Sequence, residues 1–158
     1  MMNTEQCLRH LRRTNLVALR AASLGRHPFG ALLVAPDGET VLAEQGNIDT
    51  VHHAEATLAR TASLNYSREY LWACTLVTSF EPCAMCAATM YWANIGAVVY
   101  GASEAQLLAL TGDSPDNPTL DLPCREVFAR GQKTIRVSGP FPELADELIA
   151  PHLNFWQR

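Results

Sequence analysis

Residues 71–101 read LWACTLVTSFEPCAMCAATMYWANIGAVVYG. The stretch contains two short apolar runs, at 71–78 and 97–101, which flank an Ala- and Met-rich segment at 83–92. Short apolar runs of this kind predict buried strands, while Ala and Met favour a helix. The stretch therefore predicts a strand–helix–strand unit, and such units build folds in which helices cover a sheet.

The residues before this unit continue the alternation. Residues 4–24 show a rough apolar stripe and predict a helix, and residues 54–66 predict another. Two short apolar segments, 29–35 and 40–44, flank the turn sequence Pro36-Asp37-Gly38-Glu39 and predict a hairpin.

The pattern is weaker after residue 101. We expect a loop, a short helix, a strand and a terminal helix, at residues 113–118, 122–130, 133–137 and 142–156 respectively. Five strands alternating with helices predict an α/β fold, a three-layer α/β/α sandwich around a mixed five-stranded sheet, built as a single domain over residues 1–158.

Composition agrees with a compact globular protein, because 48% of the 158 residues are hydrophobic and 18% are charged. The apolar runs are too short to span a bilayer, so no membrane partner is expected. Arginines interrupt every candidate signal-peptide core near the start of the chain. Five cysteines are an odd number, which favours a reducing compartment over a disulfide framework. We therefore expect a cytoplasmic protein.

The net charge of −4 weighs against an extended nucleic-acid interface, which usually has a basic surface. Five of the twelve basic residues nevertheless lie between Arg9 and Arg26. A solvated helix face is the favoured interpretation of this cluster, and a patch that binds a polyanion is the alternative.

Two short motifs carry the chemistry, His53-Ala54-Glu55 and Pro82-Cys83-Ala84-Met85-Cys86. His53, Cys83 and Cys86 offer three zinc ligands, and a catalytic zinc keeps its fourth position for water. Glu55 is left free to move protons. A fourth protein ligand such as Cys124 would instead close the site and make it structural.

Together these motifs resemble the H-x-E and P-C-x-x-C signature of the cytidine deaminase superfamily of zinc-dependent nucleobase and nucleoside deaminases. The resemblance implies that fold from about residue 4 to 156, and a bound Zn²⁺. It selects His53 rather than His52 as the ligand, and Glu55 as the general acid and base. It also implies a homodimer, for which the apolar helix carrying Met85, Met90 and Trp92 offers a surface.

Helix geometry supports this assignment. If helices begin near His53 and Pro82, Glu55 lies in one first turn, and Cys83 and Cys86 share a face of the other. Both sulfurs then lie at the positive end of a helix dipole, which favours thiolates.

Aromatic segments suggest the substrate. Pro28-Phe29-Gly30-Ala31 and Tyr91-Trp92-Ala93 resemble segments of guanine deaminases, and the terminal Asn154-Phe155-Trp156 offers rings that could cap a pocket. Core packing is the alternative for all of these rings. Asn47 lies six residues before His53, whereas relatives place an Asn about 11 residues before it, so its reach into the pocket is open. The predicted substrate contacts are Phe29, Asn47, Trp92, Asp113 (or Asp116), Phe155 and Trp156.

The sequence thus predicts a deaminase of a free nucleobase or nucleoside, with guanine or a related aminated heterocycle first. Alternatives within the same chemistry are a tRNA-specific adenosine deaminase and a cytosine or cytidine deaminase. A zinc-stabilised interaction module without turnover is the alternative outside it, and the presence of Glu55 argues against that module.

Overall fold

A computed structural model describes residues 2–157. Its centre is one five-stranded sheet in the order β2-β1-β3-β4-β5. The strands are β1 Gly30–Val34, β2 Val41–Gly46, β3 Thr75–Phe80, β4 Ala97–Ala102 and β5 Arg136–Ser138. β1 pairs with β2 and β3 in antiparallel fashion, while β3–β4 and β4–β5 are parallel. The predicted mixed five-stranded sheet is confirmed.

Helices cover both faces of this sheet. They are α1 Thr4–Ser23, α2 Ala54–Asn65, α3 Arg68–Trp72, α4 Ala84–Ala93, α5 Glu104–Thr111, α6 Cys124–Ala129 and α7 Ala145–Ile149. α1 and α7 pack on one face, and α2, α4 and α6 form a layer on the other. This arrangement is the predicted three-layer sandwich.

The strands alternate their side chains between the two helical layers, as the two-residue period of a strand requires. In β1, Leu32 and Val34 belong to the apolar cluster under α1, whereas Ala31 and Leu33 belong to the cluster under α2 and α4. All four side chains are fully buried, because a sheet covered on both faces needs apolar residues on both.

The N-terminal helix α1 carries most of the basic cluster. Three of its arginines form ion pairs with exposed glutamates: Arg9 with Glu39, Arg12 with Glu147, and Arg13 with Glu44. This pairing favours a solvated helix face over a polyanion-binding patch. Within residues 2–157 no helix is long and apolar enough to cross a membrane.

Two local predictions were wrong in their bounds. The strand predicted at 71–78 begins only at Thr75, because Leu71 and Trp72 belong to α3, whose first turn is capped by Ser67. The expected short strand at 133–137 is displaced to Arg136–Ser138.

The terminal segment is not the single helix that was predicted over residues 142–156. It consists of α7 flanked by 3₁₀ turns at Pro142–Leu144, Ala150–His152 and Phe155–Gln157. Pro151 has no N–H to donate within a helix, and Asn154 has a φ of 64°. These two residues therefore divide the segment into short turns.

Candidate active site

The starts of two helices bring the three predicted ligands together. His53 is the N-cap residue of α2, Cys83 is the N-cap residue of α4, and Cys86 lies in the first turn of α4. The Nδ1 atom of His53 lies 3.5 Å from Sγ of Cys83 and 3.6 Å from Sγ of Cys86. The ligand atoms of all three residues lie within 4.8 Å of one another.

These separations fit a tetrahedral zinc ion. Zn–S bonds of about 2.3 Å and Zn–N bonds of about 2.0–2.1 Å at a tetrahedral angle place the nitrogen and sulfur about 3.5 Å apart. The opposite ring nitrogen of His53, Nε2, donates to the Thr50 carbonyl oxygen at 2.9 Å, which leaves Nδ1 free for the metal. The residues present therefore fit zinc.

Neither alternative ligand joins this group. Cys124 lies outside the group of possible ligands that the described part of the chain forms, so it does not close the site. The ring of His52 instead pairs with the exposed carboxylate of Asp49, at 2.9 Å. Three protein ligands are the number that a catalytic zinc needs.

Proton sharing within the group favours a thiolate. A hydrogen bond from the Cys86 thiol, followed by the His53 ring, lowers the pKa of Cys83. The same hydrogen bond with Cys83 raises the pKa of Cys86, and the bond between Cys83 and His53 raises the pKa of His53. Metal binding at this site therefore has to displace protons, since zinc binds thiolates and neutral imidazole.

Glu55 lies beside the three ligands in the first turn of α2 and is only 6% exposed. The hydroxyl of Thr78 donates to its Oε1 at 2.7 Å, and its Oε2 lies 3.6 Å from Sγ of Cys86. Burial, and then the charge of Cys83, raise the pKa of Glu55. A carboxyl with a raised pKa exchanges protons readily near neutral pH.

One cavity of about 250 Å³ opens onto this group. His53, Cys83 and Glu55 contribute to its wall, and residues 116–120 form another part of it. The volume of about 250 Å³ lies just below the range of about 300–1,000 Å³ that ligand pockets occupy. The cavity therefore suits a small planar molecule.

Two of the predicted substrate contacts lie in the cavity wall. The ring of Phe29 packs edge-on against Phe80, with ring centroids 5.8 Å apart. Asn47 is 2% exposed, and its side-chain amide donates to the carbonyl oxygen of Asp49 at 3.1 Å. The short loop between Asn47 and His53 thus still places Asn47 at the cavity.

Trp92 and Asp113 do not line this cavity. The side chain of Trp92 is 76% exposed, and it borders a separate shallow groove beside Arg60 and Met85. Neighbouring residues on a helix point about 100° apart, so the face of α4 that carries the ligands cannot also carry Trp92. Asp113 is exposed just after α5, and Asp116 reaches the cavity wall instead.

Phe155 and Trp156 lie behind the wall rather than in it. Trp156 is buried against the rings of His27 and Phe29, at centroid distances of 4.7 and 6.1 Å. Its indole N–H donates to Nδ1 of His152 at 3.1 Å. Phe155 packs edge-on against His27 at 5.9 Å. The terminal aromatic residues therefore support Phe29 and His27, which do line the cavity.

Two buried acids near the site were not assigned from the sequence. Glu104 and Glu81 both lie in the cavity wall. The oxygens of Glu81 accept backbone N–H groups from Glu104, at 3.0 Å, and from Cys124, at 2.7 Å. Glu81 thus ties the starts of α5 and α6 to the strand that precedes the cysteine motif. The Ser103–Gln106 capping box was the sequence signal for α5, the helix that carries Glu104.

We expect the Glu81→Gln variant to lose about 1–3 kcal/mol of unfolding free energy, because the amide has one acceptor oxygen for two buried N–H donors. Urea unfolding checks this. The control is Glu69→Gln, an exposed side chain on α3, which should change stability by less than about 0.5 kcal/mol. Equal stabilities for the two variants would show that Glu81 does not hold α5 and α6.

Comparison with known proteins gives concordant matches. The sequence profile of the cytidine and deoxycytidylate deaminase zinc-binding region matches residues 4–102. A probable cytosine deaminase from Schizosaccharomyces pombe is 33% identical over 156 residues, which cover 97% of this chain and 94% of that protein.

Solved structures agree with these sequence matches. A structure from studies of A-to-I editing by tRNA:A34 deaminases at the wobble position of transfer RNA superposes with a TM-score of 0.64 at 29% identity, over 91% of this chain and 99% of that chain. Guanine deaminase from Bacillus subtilis superposes with a TM-score of 0.56 at 31% identity, over 77% of this chain and 83% of that chain.

Proposed function

We propose that this chain, which belongs to the cytidine and deoxycytidylate deaminase family of zinc-binding proteins, is a hydrolytic deaminase of a free nucleobase, with guanine as the first candidate substrate. The observation that carries the proposal is the placement of Glu55 beside the group of His53, Cys83 and Cys86, at the wall of one small cavity.

His53, Cys83 and Cys86 would hold the zinc ion. A zinc ion with three protein ligands lowers the pKa of water to about 7 and so supplies a nucleophile at neutral pH. The Thr50 carbonyl oxygen orients the ring of His53 for this task through Nε2.

Glu55 moves the protons. Deamination adds water to a ring carbon, requires a proton on a ring nitrogen, and releases ammonia, which leaves only after protonation. A single carboxyl beside the site accepts one proton from water and delivers it to the ring nitrogen. It then accepts the second proton, from the newly added hydroxyl group, and delivers it to the leaving amine. The hydrogen bond from Thr78 holds this carboxyl in place, and its raised pKa lets it exchange protons in both directions.

The cavity supports a free base as the substrate. Phe29 and Phe80 offer aromatic surface to a flat ring, and Asn47 offers polar atoms at the same wall. The net charge of −4 and the ion-paired arginines of α1 weigh against a folded RNA as the substrate.

Cytosine is the second candidate. The Schizosaccharomyces pombe relative, a probable cytosine deaminase, matches this chain over nearly its whole length, whereas the guanine deaminase structure covers 77% of it. Cytosine has one ring where guanine has two, and it therefore also fits the cavity.

Assembly and location are proposals of the same kind. An exposed groove between α2 and α4, bordered by Met85, Ala88 and Trp92, supports a homodimer through this face. All five cysteines are free thiols, which supports a location in the cytoplasm.

Ammonia release from a panel of free bases, their nucleosides and an adenosine-containing anticodon stem-loop tests the proposal. We expect zinc-loaded protein to release ammonia from guanine or cytosine at least about 100-fold faster than from the matching nucleoside. Inosine formation on the stem-loop with no turnover of any base would reject a free base as the substrate. If the zinc-bound protein released ammonia from no substrate in the panel, the result would favour a non-catalytic zinc module.

A further inference from the structure

Glu104 is a buried acid that the described structure leaves without a partner. Its residue is only 4% exposed, and its side chain lines the same cavity as Glu55 and His53. Within residues 2–157 no hydrogen bond or ion pair is made by its carboxyl group. Burying an unpaired polar group is costly, and nearly all such groups in folded proteins have a partner. An occupant of the cavity is the group that can supply one.

Glu81 provides the contrast. It is as deeply buried as Glu104 and lies in the same wall, but both of its oxygens accept backbone N–H groups. Glu81 is therefore occupied in holding the fold together. The carboxyl group of Glu104 has no such structural role, because only the backbone N–H of Glu104 bonds to Glu81.

The position of Glu104 is fixed by local structure. It is the first residue of α5, whose start is stabilised by reciprocal hydrogen bonds between Ser103 and Gln106. The backbone N–H of Glu104 is held by Oε1 of Glu81 at 3.0 Å. These hydrogen bonds hold the backbone at the start of α5 in place. A side chain on such a rigid turn is suited to orient a ligand.

The surrounding charges favour the neutral acid. Burial, followed by the negative charges of Cys83, Glu55 and Glu81, raises the pKa of Glu104 to about 8, and His53 opposes them only in part. In either protonation state the carboxyl group keeps at least one acceptor oxygen. It can therefore accept a hydrogen bond from a ring N–H that lies in the cavity.

We propose that Glu104 is a specificity-determining residue, which binds the substrate base by accepting a hydrogen bond from its ring N–H. The inference rests on the proposed function and names the chemical feature that the site recognises. Both candidate bases carry it: guanine has N1–H beside the C6 carbonyl group, and cytosine has N1–H beside the C2 carbonyl group.

Two substitutions separate this role from a structural one. Glu104→Gln keeps an acceptor oxygen at nearly the same volume, whereas Glu104→Leu removes it. Each zinc-loaded variant is assayed for KM and kcat with guanine and with cytosine. The rise in melting temperature that each base causes reports binding independently of turnover.

We expect Glu104→Gln to keep KM within about threefold of the parent protein, and Glu104→Leu to raise KM at least about tenfold with a much smaller change in kcat. Without ligand, Glu104→Leu should melt no lower than the parent protein, because the carboxyl group makes no hydrogen bond or ion pair that the substitution would remove. Its zinc content should not change.

Three results would overturn the inference alone: a Leu variant that binds base as well as the parent, a Gln variant as weak as the Leu variant, or a Leu variant that melts below the parent. A parent protein that neither turns over nor is stabilised by either base would instead reject the proposed function, and the inference with it.

Discussion

Glu55→Gln should lower kcat by about 10²–10⁴-fold while zinc stays bound, because the amide cannot carry a proton between water, the ring nitrogen and the leaving amine. The loss should lie toward the upper end of this range, since one carboxyl group is proposed to serve every proton transfer. Ammonia release at saturating guanine or cytosine measures it, and zinc content is measured on the same samples.

The structure makes Glu55→Gln a clean substitution. The amide keeps the volume of a side chain that is almost fully buried, and its oxygen can still accept the hydrogen bond from Thr78. Glu5→Gln is a matched control, because Glu5 also lies in the first turn of a helix but is exposed on α1. A Glu55→Gln variant with at least a tenth of the parent activity would rule out Glu55 as the proton carrier.

Cys86→Ala should bind no stoichiometric zinc and show no turnover, since two remaining protein ligands cannot hold the ion against dilution. Zinc binds the ligands only in the folded protein and therefore stabilises it. The melting temperature of the parent protein should fall when a chelator removes the metal. The Cys86→Ala variant should melt at the same temperature with and without the chelator.

Cys74→Ala is the matched control for this variant. Cys74 and Cys86 are both fully buried, but Cys74 lies in the apolar core and outside the ligand group. Cys74→Ala should therefore keep about one zinc per chain and its sensitivity to the chelator. Full zinc content in Cys86→Ala, or its loss in Cys74→Ala, would contradict the assignment of the ligands. Zinc is measured by elemental analysis after gel filtration.

The chemistry of this site was predictable because its determinants are local. His53 and Glu55 are separated by one residue, Cys83 and Cys86 by two, and each pair lies at the start of a helix that the apolar pattern also indicates. Helix geometry alone therefore places each pair on one face. Only the proximity of the two helix starts depends on tertiary structure and could not be read from local sequence.

The walls of the cavity were harder to predict because they depend on long-range packing. Residues 116–120 reach the site from a loop with no periodic pattern, and the helix α5 before them spans only eight residues. The prediction for Trp92 rests on the similarity of a short segment, which does not determine the helix face on which the ring lies. The sequence suggests that Trp156 caps the pocket, yet its ring packs behind Phe29 because Pro151 and Asn154 turn the chain.

Turnover of guanine and of cytosine in ¹⁸O-labelled water, followed by mass analysis of the product, tests hydrolytic deamination at this zinc site most directly. We expect the zinc-loaded protein to release one ammonia per product from at least one base and to place one labelled oxygen in that product, with both signals lost in Glu55→Gln. Ammonia release without labelled product, or no ammonia from either base while zinc is bound, would contradict hydrolytic deamination at this site.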